Sequence, residues 1–167
     1  MKQLVMKQAD YKRVCAQALE EYAEGECCGM MTLGREGKPV SVHVCENIQD
    51  KMHAQDPERF PRTNRNAYLI DPGEQHQIVS QAEGRGGGIA GFYHSHVDCD
   101  AYFSEEDKAQ ACAFFGDEPT YPHALYLVVS VFGPRSDKAV PEIKESKCFG
   151  WSEAHRDFVE VPLSLTD

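Results

Sequence analysis

The chain has no CxxC pair. Its seven cysteines, at positions 15, 27, 28, 45, 99, 112 and 148, are odd in number and scattered. Cys27 and Cys28 are adjacent, a poor arrangement for an ordinary disulfide. Most of these thiols therefore read as small buried hydrophobes in a reducing compartment. Positive charge is also scarce: 17 Lys and Arg face 27 Asp and Glu, a net charge of -10. A phosphate backbone needs a basic surface, so this balance argues against a nucleic-acid partner. No apolar run approaches the roughly 20 residues of a membrane helix. The opening MKQLVMKQADYK has no apolar stretch long enough for a secretory signal. The expectation is a cytoplasmic protein without a membrane partner. Repeats, low-complexity tracts and linkers are missing too, so residues 1–167 are expected to form one domain with a sizeable core.

What is present is a mixture of helical and strand patterns. Tyr11, Val14, Cys15, Ala18, Leu19 and Tyr22 form the stripe of an amphipathic helix over 11–24. Asp10 is its expected N-cap and Gly25 its stop. CCGMMTLG reads as a buried strand, GREGKP as a turn, and Val40, Val42 and Val44 as the alternating side of a hairpin partner. Residues 47–66 lack periodicity and read as a long loop. AYLID reads as a short strand, and Asp71, Pro72 and Glu74 open a helix. IAGFYHSH is a strand, SEEDKAQACAFF a helix, and ALYLVVSVF a central strand. KCFGWSEAHRDFVEVPL reads as a closing hairpin. Interspersed helices and strands predict an α/β fold, a mixed sheet flanked by helices.

The chemistry concentrates in FYHSHVDCDAYFSEEDKAQ, residues 92–110. His94 and His96 share one face of a strand and can grip a single metal ion, while Ser95 points the other way. Ser104 and Asp107 fit S-x-x-D, which on its own describes a helix cap. With the histidines just upstream, Asp107 becomes a candidate third ligand. Two imidazoles and a carboxylate with a corner left for water suit catalytic zinc, and non-haem iron equally. Cys99 lies among these residues, either as an inert loop residue or as a fourth ligand and redox brake. His43, His53, His76, His123 and His155 have no partner at ligand spacing.

The run HSH, seven residues, Ser, two residues, Asp matches every defined position of H-[ST]-H-x7-S-x2-D, and on it the chain resembles the JAMM (MPN-plus) metallopeptidases. The resemblance extends over nearly the whole sequence. It implies a cytidine-deaminase-like mixed sheet flanked by helices. It also implies an upstream glutamate before Cys-Gly, and EGECCGMMTLG supplies Glu26. On this resemblance zinc is held by His94, His96 and Asp107. Glu26 is then the general base and Ser104 assists at the oxyanion or the attacking water. The implied reaction is hydrolysis of a peptide or isopeptide bond.

YHSH followed by DAYFS, and the strand LYLVVSV, look like the compact bacterial branch that acts on ubiquitin-like sulfur carriers of the ThiS/MoaD type. A deubiquitinase-like or general peptidase, and a non-catalytic MPN scaffold, are the alternatives. A zinc deaminase is disfavoured because H-x-E with P-C-x-x-C is missing. Arg59, Arg62 and Arg65 form a basic cluster that either is a solvated face or guides the carrier.

Overall fold

In the computed structural model, residues 2–34 and 39–167 are described, and the expected turn at GREGKP falls largely outside them. The first strand, β1 (Leu4–Lys7), buries Leu4 and Met6 and turns Lys7 outward, the period-two pattern of a half-buried strand. Helix α1 (Gln8–Glu20) follows at once. It begins earlier than its apolar stripe suggests, with Lys7 as N-cap and no side-chain cap. Asp10 is a first-turn residue instead, bonded to Arg13 at 3.3 Å. Val14 and Ala18 are buried as the stripe predicts, and Tyr22 is buried just beyond the helix. Gly25 stands past the end at φ +143, where its N–H reaches Glu21 O at 3.0 Å.

The strands β2 (Cys28–Leu33) and β3 (Ser41–Cys45) pair antiparallel, as read. Residues 47–66 are not wholly loop, since Gln49–Gln55 form α2. Only Gln49 of that helix is buried, so no apolar stripe announces it. AYLID is not a strand: Ala67, Tyr68 and Ile70 are buried without ladder pairing. Helix α3 (Pro72–Gly84) opens as expected, Asp71 accepting the N–H groups of Gly73 and Glu74 at 2.9 and 3.0 Å. Then come β4 (Gly88–Val97), a short α4 (Glu105–Ala111), β5 (Leu125–Phe132), and the hairpin β6 (Glu142–Ser152) with β7 (Asp157–Val161). The last strand, β8 (Leu163–Thr166), pairs parallel with β1.

The main sheet has the order β3-β2-β4-β5-β6-β7. Its β4–β5 pair is parallel and the others antiparallel, so the architecture is the expected mixed sheet with helices. Both faces are covered, which is why β4 and β5 read as nearly continuous apolar runs. Tyr93, Leu127, Val129 and Met31 pack toward α1 on one side. Phe92, Tyr126, Val128, Met30 and Cys28 fill the other, against Ala111 and the inner side of α3. Among the described residues no helix is long and apolar enough to cross a membrane.

Gly29 lies opposite Tyr93 in this ladder, and a Cβ there would come within 2.2 Å of the phenol ring. That ring is fully buried and its hydroxyl donates to Gln17 Oε1 at 2.7 Å, so it cannot swing aside freely. Gly29→Ala is expected to lower stability by about 1–3 kcal/mol through overpacking. Denaturant melts check this, and an unchanged midpoint would show that Tyr93 can yield.

Candidate metal and hydrolytic centre

Both imidazoles stand near the C-terminal end of β4, where it runs beside the parallel β5 and the chain leaves the sheet toward α4. The carboxyl ends of parallel strands are where α/β folds leave a crevice for ligands. His94 and His96 share a face of β4, and Asp107 comes up to them from the first turn of α4. His94 Nε2 lies 3.1 Å from Asp107 Oδ1, His96 Nε2 3.4 Å from Oδ2, and the two Nε2 atoms are 3.2 Å apart. One ligand atom from each residue fits within 4.8 Å of the other two, and all three side chains are buried.

Each side chain is held from behind. His96 Nδ1 meets the Asp100 carbonyl at 2.8 Å. A carbonyl only accepts, so Nδ1 carries a proton and Nε2 is the nitrogen left to face Asp107 or a cation. The turn supplying that carbonyl is fixed by Asp98, a non-glycine residue at φ 57. The Asp98 carboxylate accepts from the Tyr22 hydroxyl at 2.7 Å and from Gly133 N at 3.0 Å. His94 stacks on Tyr68, ring centroids 4.6 Å apart, and its Nδ1 is buried without a partner. Tyr68 is also a wall of an apolar cavity of about 390 Å³ that Ile70, Val79, Phe92 and Phe114 help to line.

Asp107 and Ser104 form a reciprocal capping box. Ser104 Oγ donates to Oδ2 at 2.6 Å, Ser104 N donates to the same oxygen at 2.8 Å, and Asp107 N reaches Ser104 Oγ at 3.1 Å. The cap and the ligand group are therefore one structure, because the cap aims the carboxylate. Burial acts against charge on Asp107. The charge of His94 and the hydrogen bonds from His94, His96 and Ser104 outweigh it and hold the carboxyl well below the usual range.

Glu26 comes up to this site just before β2. Cys28 pairs with His94, and Ser95 N continues the ladder to Cys27 O at 3.0 Å. Glu26 lies just ahead of β2, past the last ladder pair, with its main chain bonded to Asn64 and Asn47 and its carboxyl within electrostatic reach of His96 and Asp107. Glu26 is buried, and burial pushes its carboxyl up to about 8, with Asp107 adding to the rise while His96 and Arg62 oppose it. It stays outside the three-residue ligand group, as does Cys99, which is half-buried and accepts from Ser130 Oγ through its carbonyl. Arg62 leaves the basic cluster to meet Glu106, next to Asp107, at 3.1 Å. The histidines at 53, 76, 123 and 155 lie elsewhere, and His43 bonds Thr32 at 2.8 Å.

Inspection of the sequence does not single out Asn47, Asn64 or Tyr68. A buried-side asparagine directly after a strand is the one local hint for Asn47. Nothing in the order of residues announces the stacking of Tyr68 on His94.

A mixed sheet with two imidazoles at a strand end and a carboxylate at the next helix start defines a JAB-type domain. The chain belongs to that family: residues 8–144 match the model for prokaryotic homologs of the JAB domain. The desampylase of Haloferax volcanii is 29% identical over 109 residues, a match spanning 65% of this chain and 64% of the relative. In fold the chain is similar to a protein from Desulfitobacterium hafniense, with TM-score 0.65, 21% identity and coverage of 98% and 93% of the two chains. It is also similar to one from Salinibacter ruber, with TM-score 0.57, 20% identity and coverage of 100% and 92%.

Proposed function

We infer that this protein is a zinc-dependent hydrolase of peptide or isopeptide bonds at the C-terminus of a ubiquitin-like protein. The substrate we favour is a sulfur carrier of the ThiS/MoaD type. The observation that carries the reading is the convergence of His94, His96 and Asp107, with the buried Glu26 close enough for His96 and Asp107 to act on its carboxyl. The donor set fits a borderline cation such as zinc: two imidazole nitrogens and one carboxylate, with His96 Nδ1 already bonded to the Asp100 carbonyl so that Nε2 is the nitrogen left for the cation. A zinc ion held there would acidify water and polarise a carbonyl.

The chain's own residues do the rest. Glu26 accepts a proton from water in the site and returns it to the departing amine. Burial raises this carboxyl's hold on a proton, which suits it to both transfers. Ser104 holds Asp107 in place by giving its hydroxyl proton to Oδ2, and to meet a developing oxyanion that hydroxyl would first turn away from Asp107.

The desampylase relative supports a ubiquitin-like substrate. The test is to incubate the zinc-loaded protein with a carrier extended beyond its C-terminal Gly-Gly, and separately with the same carrier joined to a lysine side chain. Mass spectrometry then reads the products. Cleavage of the linear extension supports carrier processing. Cleavage of the lysine conjugate alone supports removal of a modifier, and cleavage of neither ends the hydrolase reading.

Arg62 and Arg65 lie on the loop that borders Glu26 and are offered as guides for the substrate tail. Charge reversal of both to glutamate is expected to raise KM about three- to tenfold at low salt, since exposed pairs contribute up to about 1 kcal/mol each. An unchanged KM would leave them as a solvated face.

A further inference from the structure

Glu26 lies outside the ladder that positions its neighbours. The strand β2 begins at Cys28, and Cys27 N donates to Ser95 Oγ at 2.8 Å. Among the described residues the Glu26 carboxylate has no hydrogen bond to a protein group. Its place is set by its own peptide groups. Both are taken by the 47–69 segment. Glu26 N donates to Asn64 O at 2.7 Å, and Asn47 Nδ2 donates to Glu26 O at 2.9 Å.

Asn47 is buried, and its amide is fully used. Nδ2 also donates to Ala67 O at 3.1 Å, while Oδ1 accepts from Gln49 N at 3.0 Å and Leu69 N at 3.1 Å. Two donated and two accepted bonds are all that this side chain can make. One amide thus ties the start of α2, the buried Tyr68 stretch and Glu26 together. Asn64 is locked in turn by exchange with Asp50, at 2.7 and 2.9 Å. Gly25 is pressed so closely on Asn64 that a Cβ would lie 2.4 Å from its carbonyl oxygen, so the contact admits little slack.

We propose that Asn47 is a positioning residue for Glu26, fixing the main chain from which the carboxylate reaches toward His94, His96 and Asp107. The proposal rests on the reading of Glu26 as the proton-transfer group. A misplacement of about 1 Å costs on the order of a hundredfold in rate. Asn47→Ala is therefore expected to lower kcat about ten- to hundredfold, with KM within about twofold and one zinc per chain retained.

The decisive measurement repeats Asn47→Ala in a Glu26→Gln background and reads the residual rate. If Asn47 acts through Glu26, the second substitution costs nothing further. An additive loss in that background, or an unchanged kcat in the single variant, overturns the proposal. Should Asn47→Ala fail to fold, Asn47→Asp keeps the bonds from Gln49 N and Leu69 N and removes the donor to Glu26, and the same outcomes apply. If Glu26→Gln alone turns over at the wild-type rate, the base assignment has failed and the positioning role falls with it. An additive loss beside a crippled Glu26→Gln sinks only the positioning role.

Discussion

Glu26→Gln is expected to abolish most turnover, by about 10²–10⁴-fold, while one zinc per chain still binds. The ligand group closes without Glu26, so removing its charge leaves the cation's donors untouched. On the proposed function, what is lost is the proton acceptor near His96. The same substitution has a second expected effect, of opposite sign, on stability. In the folded, chelator-stripped protein the Glu26 carboxyl keeps its proton up to about 8, whereas an unfolded glutamate releases it near 4.5. Between those values the unfolded state binds fewer protons, so this group lowers stability as pH rises through the window.

Glutamine has the same shape and no proton to lose. In stripped protein Glu26→Gln should therefore match wild type near the acidic end of that window. Near its upper end the variant should be the more stable, by on the order of a few kcal/mol. Steady-state kinetics, zinc stoichiometry and melts across the window check both halves. Wild-type turnover in the variant would dismiss Glu26 as base. Coincident melts at the alkaline end would dismiss the burial cost.

Much of the site can be read from sequence and some of it cannot. His94 and His96 are legible because a strand fixes their common face, and Ser104 and Asp107 because a helix start fixes theirs. Both are local rules. Glu26 sits far from them in the chain. Its neighbourhood to the imidazoles depends on the Cys28–His94 register and on the bonds that Asn47 and Asn64 make to its main chain, neither of which residue order by itself states. The resemblance to a known motif, and not periodicity, is what singled it out.

The strand expected at AYLID fails for a related reason. AYLID has the composition of a strand, but its backbone is satisfied elsewhere, Leu69 N by Asn47 and Leu69 O by Ile48 N. A buried amide replaced a ladder partner, and β-propensity does not register that exchange. The helix α2 escaped notice because it buries a glutamine and no apolar stripe. The strands β1 and β8 are four residues each and pair end to end of the chain, beyond the reach of any local pattern.

His94→Ala is expected to lose both the zinc and the activity, and to do so in a way that adding metal does not repair. His94 is fully buried, its Nε2 faces Asp107 and His96, and its ring lies flat on Tyr68. Removing it leaves two donors where a catalytic site needs three. It also opens a void beside Tyr68, so some loss of stability is expected whatever the metal does. Zinc-linked stability separates these effects. A ligand that binds only the folded chain adds about 4 kcal/mol at a thousandfold excess over its Kd. Wild-type protein stripped with a chelator should therefore melt lower and recover both its melting point and its turnover when zinc is restored. His94→Ala should melt at one temperature with or without zinc, and its turnover should stay at background. A variant whose melting point still climbs with zinc, or which still cleaves, would mean that the cation sits elsewhere and that the buried imidazole serves packing against Tyr68 alone.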